Sequence, residues 1–237
     1  MACTEQMISG KNSGNEELKA KAFMHVANVK VWKLKNNPAL FYEGGMKIDA
    51  DGSPRAYHPE NKGLDHNYNG GSGGHWWGVI TNDEGKPVIQ GPEDPAPGYY
   101  VSCTSLTHAD KDKYDPAKYI NAEVVPYIVL PERLFTKGNI KLGDFAAIVN
   151  KKNGKIAYAI FADIGPAGKL GEGSIALANN LGIDSSPKDG GADEDVIYIV
   201  FPGSGNGEPR DLEEIHSYGP KLLKQWGGQE QLMSFFP

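Results

Sequence analysis

The chain is 237 residues long, enough to bury a full hydrophobic core in one large domain or in two smaller ones. Gly 30 and Pro 16, set among short apolar runs, argue against a helical bundle and for a mainly β fold with a few short helices. Lys+Arg 24 against Asp+Glu 30 leaves a formal charge of -6, which disfavours a nucleic-acid backbone as partner and suits a polycation better, and the chain lacks the run of about 18 apolar residues that a membrane-crossing helix needs.

Residues 1–22 read as a flexible N-terminal segment with room for a helix, and 23–237 as a single domain, because neither a repeat nor a linker interrupts them. The amino terminus lacks the basic and apolar stretches of a signal peptide, so an exported protein would be represented here without its leader, and Met1-Ala2-Cys3 is compatible with a replaced one. Between Glu16 and Val29 the apolar positions Leu18, Ala22, Met24, Val26 and Val29 are irregular and suggest a short helix followed by a strand. Val29 to Leu34 then alternates as a half-buried or edge strand.

From Tyr42 to Gly74 the chain is rich in glycine, asparagine, aspartate and histidine. Met46 and Ile48 anchor a short strand, and Asp49-Ala50-Asp51-Gly52 turns away from it. That fragment is similar to the start of a calcium loop, but the later ligands and closing glutamate are missing, so a structural or substrate-facing turn is preferred. His58, His66 and His75 are close in sequence, yet their spacing fits no standard zinc motif, and ordinary loop histidines or ligand contacts are the better reading. Trp76 and Trp77 on one strand would face opposite sides, one toward the core and one free to meet a sugar ring.

Pro87 to Gln90 and Tyr99 to Thr104 read as short strands around a proline-rich loop, and Val124 to Leu130 as a strand that Pro126 interrupts. Leu142 to Asn150, the turn at Asn153-Gly154, and Ile156 to Phe161 form a strand, a hairpin turn and a strand. Asp163 falls just beyond that second strand and opens a Gly/Pro-rich connection closed by Glu172. Ser174 is placed to cap a helix over Ile175 to Leu181, with Gly182 as its C′ residue. A strand end and a helix start are rigid places that could hold two carboxylates facing one substrate. Two plainer roles stand beside this: Asp163 satisfying turn amides, and Glu172 favouring the positive end of the helix. Asp195 to Pro202 supplies a further strand and Ile215 to Trp226 a terminal helix. Cys3 and Cys103 could form one bridge, with two free thiols the favoured alternative.

The ordered blocks MKIDADGSPRAYHP, GLDHNYNGGSGGHWWGV, DPAPGYYVSCTSL, VPYIVLP and ADIGPAGKLGEGSIALANNLGI together resemble the glycoside hydrolase family seventy-five chitosanases, over roughly Met46 to Phe201. The resemblance implies a single catalytic domain with a double-psi β-barrel-like core and long glycine-rich loops. It also implies endo-acting hydrolysis of β-1,4 bonds in chitosan with inversion, with Asp163 and Glu172 as the catalytic carboxylates. Glu172 is assigned as general acid and Asp163 as general base, the reverse order remaining open. Asp49, Asp51 and Asp65, with Glu93 or Asp94, would line subsites for the polymer's amines, and Tyr57, Trp76, Trp77, Tyr99 and Tyr100 would offer ring platforms. The implied partners are chitosan or chito-oligosaccharides, with no cofactor, no metal and no nucleic acid, for a monomer working outside the cell or in its envelope. The alternatives are non-catalytic binding of an amino-sugar polysaccharide and hydrolysis of another such polymer, peptidoglycan among them.

Overall fold

The structure, a computed structural model, describes residues 6–237, and its strands mix alternating segments such as β2 with fully buried ones. Cys3, and with it the choice between a bridge to Cys103 and two free thiols, lies outside the described residues.

The first strands are β1 (Met7–Lys11), β2 (Glu17–Val26) and β3 (Val29–Leu34), an antiparallel ribbon in which Ser9 faces Lys19 and Lys21 faces Lys33. The helix expected in this region is a strand instead. Lys19 and Lys21 alternate with Leu18, Ala20 and Ala22, and a register shift between Ala22 and Met24 absorbs the irregularity that suggested a helix. Next come β4 (Leu40–Asp49), the one-turn helix α1 (Asn67–Gly70), and the two-residue strands β5 (Gly71–Ser72) and β6 (His75–Trp76). The second half holds β7 (Tyr127–Pro131), α2 (Glu132–Gly138), β8 (Phe145–Asn150), β9 (Ile156–Gly165), β10 (Glu172–Ser174), α3 (Ile175–Leu181) and β11 (Ala192–Val200). Two helices, α4 (Leu212–Trp226) and α5 (Gly228–Ser234), finish the chain.

Six strands close into a barrel in the order β4-β10-β7-β9-β8-β11, with β11 returning to β4 from Val200↔Leu40 to Ala192↔Met46. The β1–β3 ribbon extends from β4, so the fold is a mixed α/β one: a six-stranded barrel with extra strands and short helices. Two of the barrel pairings, β10 with β4 and β7 with β9, are parallel. Every residue of β7 and of β8 is buried, which is why both read as continuous apolar runs. Pro126 does interrupt the segment it falls in: β7 begins one residue later, at Tyr127. Phe41 of β4 packs against Trp226, Phe235 and Phe236, which fastens the two C-terminal helices to the barrel. Ser234 accepts the Lys11 N–H at 2.7 Å, tying α5 to the edge strand β1. Among the described residues no helix is long and apolar enough to cross a membrane.

Candidate active site

The site forms where β7, β9, β10 and β4 end together. Along the parallel pair, Ile128 of β7 faces Phe161, but Val129 faces Asp163, so Ala162 is an extra residue in β9. Such a bulge breaks the in-out alternation and re-aims the next side chain. The Ala162 carbonyl accepts the Leu106 N–H at 2.8 Å, and Asp163 turns into the cleft. Asp163 therefore lies inside β9, which runs on to Gly165, and not just beyond a strand as its sequence context suggested.

Glu172 opens β10, a three-residue strand with no signature of its own in the sequence. It faces Val129 on one side and Lys47 on the other. Val129 is thus flanked by Asp163 and Glu172 in one row across three strands. Two strand spacings put the two backbones about 9–10 Å apart. Ser174, two residues on, still pairs with Asp49 of β4 but no longer with β7, and caps α3 by accepting the Leu177 N–H at 3.2 Å.

Asp49 ends β4, and the turn after it brings Asp51 alongside. The Asp51 N–H donates to Asp49 Oδ1 at 2.8 Å, the Tyr57 hydroxyl donates to Asp51 Oδ1 at 2.6 Å, and the Tyr127 hydroxyl donates to the Asp51 carbonyl at 2.9 Å. Asp163 Oδ1 accepts from both the N–H and the hydroxyl of Ser105, at 2.8 and 2.6 Å. Carboxyl oxygens of Asp49, Asp51 and Asp163 lie within 4.8 Å of one another. Among the described residues this is the one group of acidic, histidine or cysteine side chains close enough to share a cation, and the histidines at 58, 66 and 75 do not gather. Acid proximity is its whole qualification, since one oxygen of each carboxylate is already taken by a protein donor.

Burial pushes the carboxyls of Asp49, Asp51, Asp65, Asp163 and Glu172 above their ordinary range. For Asp49 the charges of Glu172 and Asp163 add to burial, and for Asp51 those of Asp49 and Asp163 do. Burial raises Asp163 as well, against the Ser105 hydrogen bonds that favour its charged form. Glu172 is raised by burial while the Lys169 ammonium pulls it back. Crowding of this kind keeps some of these groups protonated at a pH where an isolated carboxyl is ionised, the condition for acid and base roles side by side.

The cleft has a volume of about 490 Å³. Of the residues singled out from the sequence, it gathers Asp49, Asp51, Tyr57, Asp65, Trp77, Asp163 and Glu172. Asp65 is buried at its wall and accepts from the Asn69 side chain at 2.8 Å. Trp77 is 55% exposed and presents a ring at the mouth. Tyr57 offers no platform: its ring is buried, and only its hydroxyl reaches the site, on Asp51. Trp76 and Tyr100 pack edge to face against each other and the core, and Tyr99 packs on His58, all three outside the cleft wall. Asp94 accepts the Gly91 N–H and holds its own loop. The sequence reading missed Ser105, Tyr127, the exposed Tyr68, and the lysines 47, 169 and 188 that line the cleft. Tyr68 and Ser105 do fall in blocks that carry the resemblance, but no spacing rule marks them.

A family model described as fungal chitosanase of glycosyl hydrolase group 75 matches residues 46–218. The chain is also 35% identical over 114 residues to an endo-chitosanase C of Aspergillus oryzae, an overlap of 44% of this chain and 30% of that protein. The chain thus spans under a third of that relative's length. The family match takes in the barrel strands from Met46 onward and every carboxylate of the cleft, and extends over most of the sequence: the chain belongs to the group 75 family of glycosyl hydrolases.

Proposed function

We propose that the protein is an endo-acting chitosanase that hydrolyses β-1,4 bonds between glucosamine units with inversion at the anomeric carbon. The observation that carries this is the row Asp163, Val129, Glu172 across β9, β7 and β10. Backbones about 9–10 Å apart, with both side chains reaching into one cleft, suit carboxyls separated by roughly 6.5–9.5 Å with a water between, better than the roughly 5–5.5 Å of a nucleophilic pair. In this reading Glu172, held up by burial, protonates the leaving oxygen, and Asp163 takes a proton from the attacking water on the opposite face of the sugar. Asp49, Asp51 and Asp65 supply negative charge where the substrate carries ammonium groups, and Trp77 supplies a ring against a sugar face. The two parallel pairings within six strands support a double-psi arrangement of the barrel. A polymer substrate places the enzyme outside the cell or in its envelope.

The test is incubation with highly deacetylated chitosan, following reducing ends, product lengths and the anomer first released, beside Asp163→Asn and Glu172→Gln. Rapid formation of mixed oligomers of inverted configuration, lost by roughly 10²-fold or more in either folded variant, is the expected result. Tight polymer binding without cleavage would replace the proposal with a binding role, and full activity in a variant would remove that residue from catalysis.

A further inference from the structure

We propose that Ser105 is the positioning residue that fixes Asp163 as the base, locking one carboxyl oxygen and leaving the other to meet water; this deepens the hydrolytic reading above and rests on it. Two donors from this one residue converge on Asp163 Oδ1, the backbone N–H at 2.8 Å and the hydroxyl at 2.6 Å. The Ser105 oxygen is itself an acceptor from the Ile164 N–H at 3.2 Å. A hydroxyl has a single hydrogen, and with its lone pair turned to Ile164 that hydrogen is directed at Asp163. Oδ1 is then an acceptor twice over, so a proton arriving on this carboxyl has to settle on Oδ2.

The same loop holds the bulge that aims Asp163. The Leu106 N–H, adjacent to Ser105, binds the carbonyl of Ala162, so the dipeptide Ser105-Leu106 clips both the extra residue and the carboxylate that follows it. Loop and strand are 58 positions apart in sequence, which leaves no local pattern to reveal the contact.

The charged and titratable groups around Asp163 come from every neighbouring element: Asp49 and Asp51 from the end of β4 and its turn, Glu172 from β10, Tyr127 from β7 and Cys103 from the Ser105 loop. Burial opposes ionisation of Asp163. The Ser105 donors and the Ile164 N–H oppose that effect, and a base has to be ionised to act. Ser105 is exposed, so its hydroxyl can be removed without opening the core, while the backbone N–H stays on Asp163.

The experiment compares wild type, Ser105→Ala and Ser105→Thr in the full chain by two readouts: the pH profile of kcat/KM on deacetylated chitosan, and the titration of the Asp163 carboxyl carbon by NMR, assigned with Asp163→Asn. Ser105→Ala is expected to lower kcat about 10- to 100-fold, to move the acidic limb of the profile to higher pH, and to move the Asp163 titration the same way. Ser105→Thr, which restores the hydroxyl, returns both toward wild type. An unchanged limb and unchanged titration in Ser105→Ala overturns the proposal, as does movement of the basic limb alone. If the alanine variant fails to fold, Ser105→Cys, of similar volume but with a weak donor, carries the same test. Wild-type chitosan left uncut, or full activity in Asp163→Asn, would be a failure of the hydrolytic reading, while the NMR titration would still decide the clamp.

Discussion

Replacing Ser174 by alanine removes a single oxygen that serves three elements. Backbone pairing between β10 and β7 runs through Glu172↔Val129 and Gly173↔Ile128 and stops there, because Ser174 turns into the cap of α3. Its side chain takes over where the ladder ends: Oγ accepts the Tyr127 N–H at 3.0 Å and the Leu177 N–H at 3.2 Å, and donates to the Val125 carbonyl at 2.9 Å. Ser174 is fully buried, so water cannot easily replace it at Tyr127. Loss of a serine cap costs about 1 kcal/mol. A buried N–H left without a partner costs about 1–3 kcal/mol. Val125 is only half-buried and its carbonyl can turn to solvent, so it adds little. The sum is about 2–4 kcal/mol, which in a chain of this size lowers Tm by roughly 4–16 °C. Urea unfolding of Ser174→Ala should show a lower midpoint with an unchanged m-value. A loss under about 0.5 kcal/mol would refute the argument, since it would mean that the Tyr127 N–H finds another acceptor at no cost.

Three further outcomes follow from the cleft. Burial raises the Asp49 carboxyl in the folded state, so the native protein binds more protons than the unfolded chain, and the stability this lends below the ordinary carboxylate range is lost as pH rises through the folded value. Asp49→Asn should then melt above wild type at pH 7, with the gap closing toward about pH 4; a variant that melts lower at neutral pH would reverse the sign. The Lys169 ammonium favours ionised Glu172, so Lys169→Met should raise the Glu172 carboxyl and carry the basic limb of kcat/KM to higher pH, and an unmoved or lowered limb would separate Lys169 from the acid. Trp77→Ala should raise KM about 3- to 10-fold with little change in kcat, whereas a loss confined to kcat would argue against a ring platform.

Short-range patterns carry much of this molecule. The hairpin of β8 and β9, the cap at Ser174 and the left-handed Gly182 that ends α3 depend on residues a few positions apart, and periodicity, turn chemistry and capping preference report such contacts directly. The pair Asp163 and Glu172 could be picked out because it stands at the ends of such elements, and the quoted blocks fixed the family. Val29 to Leu34 reads correctly as a strand, but the segment of β2 before it reads as a helix because a bulge disturbs the alternation that identifies a strand.

What the site does with those residues was decided by pairings that no local window spans. β10 has three residues, too few for any period, and exists because β4 and β7 hold it on both sides. The bulge at Ala162 depends on β7, and the carboxylate it aims is held by Ser105 from a separate loop. Tyr57 is aromatic and close to the predicted subsites, yet whether it shows a ring or a hydroxyl was settled by the packing that buried it against the turn at Asp51. Sequence by itself determined the barrel's local pieces and the acids available to the cleft. Tertiary structure determined which acids meet, because hydrogen bonds and burial act through space, between strands that the chain brings together only on closing the barrel.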